Sequence, residues 1–325
     1  MTSGSAAPGS AAPGSEISLR EAVRAATKVL ADAGIDSAEF DALALAAHVL
    51  RSTTGEVRKQ MVMGAPGPEG FDDLVAERAR RVPLQHLTGK AGFRRLELSV
   101  GPGVFVPRFE TELVAGLAIE LLRKPRDGVP GQGSNLGLRG EDPTSFPGLR
   151  VGVVVDLCTG SGAIALAIKD EVPGAEVHAV ELSDLAHAWA IRNRDDLSLD
   201  VDIRLGDATL AFPDLAGSVD VVVSNPPYIP AGAVPNDPEV RDHDPEVALY
   251  GGSDDGLRIP LEVAARAAFL LRPGGFFVME HADVQEDSLP AALRATGSWQ
   301  DVEDHADLNG RPRAVTALRV DQRPG

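Results

Sequence analysis

The stretch Val151-Gly152-Val153-Val154-Val155-Asp156-Leu157-Cys158-Thr159-Gly160-Ser161-Gly162-Ala163 runs from an apolar segment, through an acid, into a turn with two glycines. Val151 to Leu157 is nearly unbroken in its apolar character, the mark of a strand buried on both faces of a parallel sheet. Glycines at a strand-to-helix turn let the backbone approach a ligand, and the helix N–H groups beyond them point at its anionic part. A Gly-x-Gly pair alone occurs in many tight turns. Here it follows an apolar strand ending near Asp156 and opens an apolar helix, the context a nucleotide-type site requires. The dinucleotide form Gly-x-Gly-x-x-Gly is not met, because position 165 is Ala, and this counts against a nicotinamide enzyme.

Beyond this turn the pattern predicts a helix over 162–170, strand 176–181, helix 184–195, and strands 201–205 and 219–224. A long helix over 256–271 then leads into a strand from Phe276 to Glu280. Repeated βα units imply a doubly wound α/β domain with right-handed crossovers. The second strand ends at Glu181, at the spacing from the glycines where a carboxylate accepts ribose hydroxyls; a surface acid after a strand is the plain alternative. Gly206-Asp207-Ala208 follows the third strand, where an adenine ring would lie. Asp207 can accept from the adenine amino group or cap the next turn, and both readings stand.

Asn225-Pro226-Pro227-Tyr228 ends the strand 219–224, at the carboxyl edge of the sheet beside the glycine turn, where α/β ligands bind. Two prolines fix the backbone and remove N–H donors. An amide or aryl amine has a delocalised nitrogen lone pair and is a poor nucleophile. The Asn225 side-chain oxygen and the Pro226 carbonyl can accept its two N–H bonds, localising that lone pair and aiming it at an electrophilic methyl group. Tyr228 offers a flat face to a planar group. A proline-rich turn without chemistry is the bland alternative.

Towards the N-terminus, residues 1–15 hold Gly-Ser-Ala-Ala-Pro twice and are expected to be a disordered tail. Ser18 and Glu21 have the spacing of a capping box, and Leu19, Val23, Ala26, Val29 and Leu30 recur at helical spacing up to Gly34. A second helix from about Ser37 to Leu50 and shorter ones up to Arg81 complete a helical domain, taken as 16–88. Strand alternation from Lys90 to Val106, with Gly89, Gly92, Gly101 and Gly103 as turn residues, predicts a β-hairpin connector over 89–108. The catalytic domain then spans 109–321, with a helix from Glu110 to Arg123 and a flexible insertion over 125–148 that is rich in Gly, Pro, Ser and Asp.

Apolar residues make up 43% of the 325-residue chain, the formal charge is −17, and Cys158 is the only cysteine. No apolar run is long enough for a membrane span, the N-terminus lacks the basic-then-apolar order of a signal peptide, and one cysteine allows no intrachain disulfide, so a cytoplasmic location is expected. The acidic balance disfavours a nucleic-acid footprint. Between Arg78 and Arg95 six basic residues (Arg78, Arg80, Arg81, Lys90, Arg94, Arg95) stand without an acid. They read as a solvated helix face and hairpin, or as a basic patch for a ribosomal or RNA-bearing partner. The seven histidines show no metal-ligand spacing, so no metal is expected. The acidic stretch Asn236 to Asp255 is either a solvated loop or a lid.

With these motifs in place, the chain resembles the peptide chain release factor glutamine-N5 methyltransferases, the PrmC/HemK family, over about residues 16–320. The resemblance is carried by Arg81-Val82-Pro83-Leu84-Gln85-His86-Leu87-Thr88-Gly89, Gly103 to Arg108, Glu110-Thr111-Glu112, Asn225 to Tyr228, Ala248-Leu249-Tyr250-Gly251-Gly252, Glu280-His281 with Gln285, and Asp307 to Arg311. It implies a Rossmann-like class I S-adenosylmethionine-dependent methyltransferase domain and a helical N-terminal domain that docks the substrate protein. The acceptor implied is the glutamine of the release factor's Gly-Gly-Gln loop; no direct nucleic-acid or membrane partner is expected. Thr159, Gly160, Ser161, Gly162, Ala163, Glu181, Asp207, Ala208 and Asn225 would bind S-adenosylmethionine. Asn225, Pro226, Pro227 and Tyr228 would hold the glutamine, with Asn225, Pro226 and Tyr228 catalytic and Phe105 and Pro107 lining the same pocket. Phe109 stands where the family has proline, and the 125–148 insertion has no family counterpart. The alternatives are an adenine-N6 or other amino-nitrogen methyltransferase acting on nucleic acid, and a nucleotide-binding module without catalysis, against which the intact Asn225 argues.

Overall fold

The computed structural model describes residues 17–123 and 152–321. The expected tail at 1–15 and the insertion at 125–148 lie outside the described residues. Two compact units divide at Thr88 and Gly89.

The first unit packs five helices: α1 (Leu19–Asp32), α2 (Ala38–Val49), α3 (Thr54–Met63), α4 (Phe71–Ala79) and α5 (Leu84–Thr88). The capping box forms as its spacing predicts. Ser18 Oγ accepts from the Glu21 amide at 3.3 Å, and the Glu21 carboxylate accepts from the Ser18 amide at 3.1 Å. Leu19, Leu30, Leu45 and Phe71 are fully buried in its core. The helical face expected to be solvated is in part not so. Arg78 is buried, its Nε 2.7 Å from Asp41 Oδ2, because the 3.6-residue period turns it inward towards an acid on α2.

The second unit begins with a hairpin of β1 (Lys90–Phe93) and β2 (Leu96–Ser99), which pair antiparallel. Its turn falls on Arg94 and Arg95, with Arg94 at a φ of 52°, while Gly92 lies inside β1. The expected glycine turn is thus displaced. The arginines are held instead by acids: Arg94 Nε stands 2.5 Å from Glu171 Oε1, and Arg95 Nη2 is 2.8 Å from Asp170 Oδ2. Ion pairs thus use up both hairpin arginines of the basic stretch.

After α6 (Glu112–Arg123) comes the alternation β3 (Val153–Leu157), α7 (Ala163–Glu171), β4 (Glu176–Glu181), α8 (Asp184–Leu197), β5 (Asp202–Leu205) and β6 (Val219–Ser224). The chain continues through α9 (Pro238–His243), α10 (Arg258–Leu270), β7 (Leu271–Glu280), α11 (Ser288–Ala295), β8 (Trp299–Ala306) and β9 (Pro312–Arg319). The seven strands of the large sheet run in the order β5-β4-β3-β6-β7-β9-β8. Strands β3 to β7 are parallel; β9 pairs antiparallel with β7, and β8 with β9. Alternate residues feed two cores. Val154, Val221 and Val223 face the layer of α6 and α7, whereas Val155, Val222 and Phe277 face that of α10 and α11.

The Rossmann-like α/β architecture matches the sequence-based expectation, with boundaries shifted by a few residues. β8, β9 and α11 were not foreseen. β8 carries charge on its exposed positions and shifts register twice against β9, so no clean period of two is written in its sequence. Among the described residues no helix is long and apolar enough to cross a membrane.

Candidate active site

The strand order reverses between β3 and β6, since the chain leaves β3 towards β4 on one side and later returns to β6 on the other. The carboxyl ends of neighbouring strands part there and open a crevice. A cavity of about 650 Å³ occupies it, bordered by the loops after β3, β4, β5 and β6, by residues 103–111, and by 237–249.

Of the residues named from sequence, Phe105, Pro107, Thr159, Gly160, Ser161, Ala163, Glu181, Asp207, Ala208, Asn225, Pro227 and Tyr228 all border this cavity. Gly162 and Pro226 do not. Gly162, at a φ of 86°, starts α7, and a Cβ there would meet Leu166 at 2.9 Å, so its role is backbone geometry and close packing. Pro226 is buried and is not among the residues that border the cavity.

Three buried carboxylates shape the strand ends. Asp156 has no solvent exposure. Its Oδ2 accepts from Thr159 Oγ1 at 2.6 Å and from the Ala165 amide at 3.2 Å, which ties the glycine loop to β3. Burial raises its carboxyl to about 7, against the pull of those hydrogen bonds. Glu181 accepts from the Gly160 amide at 2.8 Å and the Ser183 amide at 2.9 Å, one on each oxygen. A second lone pair on each oxygen stays available to a ligand. Glu280, at the end of β7, accepts from the Tyr228 hydroxyl at 3.0 Å, and burial raises its carboxyl too. Burial and the adjacent Glu280 charge push the Tyr228 phenol well above its ordinary value, so it stays protonated and donates.

Asp207 Oδ1 accepts from both the Thr209 amide and the Thr209 hydroxyl at 2.8 Å, so the turn-capping reading describes this oxygen. Cys158 adopts a φ of 68°, and burial pushes its thiol up.

Asn225 stands at the cavity wall with its Nδ2 donating to Thr111 Oγ1 at 3.2 Å, and among the described residues its Oδ1 has no donor. The loop beyond it is clamped. Gln285 Nε2 donates to the Tyr228 carbonyl at 3.0 Å and to the Asp255 carbonyl at 2.9 Å, and the Ile229 amide donates to the Leu249 carbonyl at 2.8 Å. The Gly251 and Gly256 backbones approach so closely that a Cβ on Gly251 would collide with the Gly256 carbonyl, and one on Gly256 with that of Tyr228. The acidic stretch 236–255 borders the cavity in part, while Asp242, Glu246, Asp254 and Asp255 are exposed. Its Asp244 side chain is fully buried, 2.8 Å from Arg108 Nη2.

The site roles of Thr111, Glu280, Gln285, Arg108 and Asp244 were not read from sequence. One signal was present: Glu280 ends a strand adjacent to the one that Asn225 follows, and acids at that edge face the crevice.

A family model described as the PrmC N-terminal domain matches residues 21–89, and one described as the methyltransferase small domain matches residues 144–237. The release factor glutamine methyltransferase of Streptomyces coelicolor is 48% identical over 299 residues, covering 92% of this chain and 97% of its own length. That of Mycolicibacterium smegmatis is 44% identical over 305 residues, covering 93% and 98%. A 4-amino-L-phenylalanine/4-methylamino-L-phenylalanine methyltransferase from Streptomyces pristinaespiralis is also similar, 38% identical over 303 residues, covering 93% and 95%.

Proposed function

The chain belongs to the release factor glutamine methyltransferase family, and from that premise we propose that it transfers a methyl group from S-adenosylmethionine to the side-chain amide nitrogen (N5) of the glutamine in the Gly-Gly-Gln motif of peptide chain release factors. The observation that carries the reading is Asn225, whose amide nitrogen is already engaged by Thr111 and whose oxygen is left at the cavity.

The cavity suits the proposed donor. The space above Gly160 is empty for 4 Å around a Cβ position, and Gly160 and Gly162 both hold positive φ, so the backbone can lie against a ligand. The wall carries six carboxylic acids against three arginines, a balance that favours a cationic ligand. Thr159 to Ala163, with Glu181, would hold its amino-acid and ribose portions, and Asp207 and Ala208 its adenine. S-adenosylmethionine supplies an activated methyl group on a positive sulfur.

The acceptor side is the work of the chain's own residues. Asn225 Oδ1 accepts an N–H of the glutamine amide, which withdraws the nitrogen lone pair from the carbonyl and points it across the cavity. Tyr228, Phe105 and Pro107 sandwich the planar amide and exclude water. The attacking nitrogen becomes cationic and sheds its proton afterwards, so no base is needed before attack. A substrate in translation places the enzyme in the cytoplasm.

The relative that acts on 4-amino-L-phenylalanine favours testing an aryl amine as a second acceptor, because that nitrogen is also planar and carries two hydrogens. The test offers labelled S-adenosylmethionine with a release factor, the same factor carrying Gly-Gly-Glu, duplex DNA, or 4-amino-L-phenylalanine. Label is expected in the intact factor alone. Transfer to the Gly-Gly-Glu factor, or to DNA or the amino acid in its place, sinks the reading.

A further inference from the structure

We propose that Asn193 is a positioning residue that ties the glycine loop, on the donor side of the cavity, to the segment carrying Phe105 and Pro107, on the acceptor side. The inference rests on the sides assigned above and adds the strut that sets the distance between them.

Asn193 lies on α8 and is 1% exposed. Its side-chain amide makes three hydrogen bonds. Oδ1 accepts from the Ser99 amide at 2.6 Å, and Nδ2 donates to the Ser99 carbonyl at 3.0 Å and to the Ser161 carbonyl at 2.9 Å. Only this orientation sets donors against acceptors. The partners are backbone groups that their own elements leave over. The Val100 amide donates to the Gly89 carbonyl, so strand alternation turns the amide and carbonyl of Ser99 away from β1. In the glycine loop, the Ala165 amide would bond to the Ser161 carbonyl in a helical register, but it goes to Asp156 instead. Buried backbone groups need partners. One asparagine supplies them to the end of β2 and to the glycine loop at once.

The same face of α8 holds the chain that follows β2. Leu185, Trp189 and Asn193 recur every four residues and line one side of the helix. Trp189 Nε1 donates to the Pro102 carbonyl at 3.3 Å. A Cβ on Gly101 would meet the Trp189 ring at 2.5 Å, and one on Gly103 would meet Leu185 at 2.7 Å, so this segment lies directly on the helix. Val100, Val104 and Val106 pack with Ala186 and Trp189 in one apolar cluster. Phe105 and Pro107 alternate with the last two valines and border the cavity. The acceptor side is thus seated on α8, and Asn193 joins that seat to the glycine loop. A shift at Asn193 moves the two sides of the cavity relative to each other.

The experiment compares the full-length protein with Asn193→Ala and Gly101→Ala, reading the Kd for S-adenosylmethionine by calorimetry, kcat with a saturating release factor, and melting temperature. Asn193→Ala removes all three hydrogen bonds and leaves room for water, which can pair the freed groups without fixing their position. It is expected to raise the Kd about tenfold, the loss of one hydrogen bond at the glycine loop. It should also lower kcat about a hundredfold, the effect of a misplacement on the order of 1 Å between reacting atoms. Gly101→Ala forces the acceptor segment off Trp189 without touching the glycine loop, so kcat should fall about tenfold with the Kd unchanged. A lower melting temperature in Asn193→Ala with wild-type Kd and kcat would show that the residue only packs, and would overturn the inference. A raised Kd with full kcat overturns it as well, because the two sides are then not coupled. Should Asn193→Ala fail to fold, full kcat in Gly101→Ala overturns the inference in its place. A wild type that binds S-adenosylmethionine yet labels no release factor sinks the function proposed above. The Kd of Asn193→Ala needs no acceptor, and an unchanged value there sinks the strut alone.

Discussion

Asp156→Asn should make the protein more resistant to unfolding at pH 8 relative to wild type than it is at pH 4. Asp156 is sealed from solvent, and burial raises its carboxyl from 3.8 to about 7. In the unfolded chain it ionises near pH 3.9. Below pH 4 the group is protonated in both states and contributes no pH dependence. Between pH 4 and 7 the unfolded chain has released its proton while the folded one keeps it. The folded state then binds more protons, and stability falls as pH rises. Above pH 7 both states are ionised and the curve levels. The rise of about 3 pH units, at 1.36 kcal/mol each, makes this loss on the order of 4 kcal/mol.

Asparagine keeps the shape and an acceptor for Thr159 and Ala165 but cannot ionise. Its own cost, an NH2 set where Oδ1 finds no partner, is the same at every pH and shows as a constant offset. Urea or thermal unfolding of both proteins at pH 4, 5, 6, 7 and 8, taken as wild type minus variant, removes every other titrating group from the comparison. At roughly 2–4 °C per kcal/mol for a unit of this size, the difference in melting temperature should drift by about 10 °C across the series. A difference that is flat with pH, or that runs in favour of wild type at high pH, would refute the account of Asp156 as a carboxyl raised by burial.

Arg78→Met leaves Asp41 as a buried charge without its main partner and is expected to destabilise the helical unit by about 3–5 kcal/mol; the double variant Asp41→Leu with Arg78→Met should recover most of that in urea unfolding, and its failure to do so would show that packing rather than charge dominates. Arg108→Ala strips the arginine from the buried Asp244, whose carboxyl burial already raises, and should loosen the segment 236–250. Limited proteolysis should then cut that segment faster and the KM for the release factor should rise, whereas unchanged cleavage would mean the ion pair does not hold it.

The features legible in the sequence are those written in local order. The apolar run of β3, the glycine turn after it and the capping box at Ser18 each need only a few consecutive residues, and each forms as read. The features that were missed depend on partners far away along the chain. Arg78 reads as a surface arginine until its helix meets Asp41, 37 positions earlier. The hairpin turn needs no glycine because Arg94, held to Glu171 and Glu112, tolerates a positive φ. At the site the motif residues Asn225 to Tyr228 were visible as a string, but the residues that hydrogen-bond to them come from just before α6 and from β7, with Thr111 114 positions away from Asn225. Local patterns specify which groups can react, and the sheet order decides which neighbours direct them.

The three buried carboxylates follow one plan. Asp156, Glu181 and Glu280 lie at or near the carboxyl ends of three parallel strands, and each binds the loop beside it: Asp156 the hydroxyl of Thr159, Glu181 the amides of Gly160 and Ser183, and Glu280 the hydroxyl of Tyr228. Neutral side chains at these positions would fold more readily, since burial penalises a carboxylate and raises at least Asp156 and Glu280. Amide and hydroxyl donors can be fixed in direction only by groups that accept and never donate, and an ionised carboxylate is such a group. Stability given up at the strand ends is thus converted into fixed orientation of the glycine loop on one wall and of Tyr228 on the other. A proton gained by Asp156 or Glu280, whose carboxyls burial raises, returns some of that stability, which ties the pH dependence of unfolding to the walls of the cavity itself.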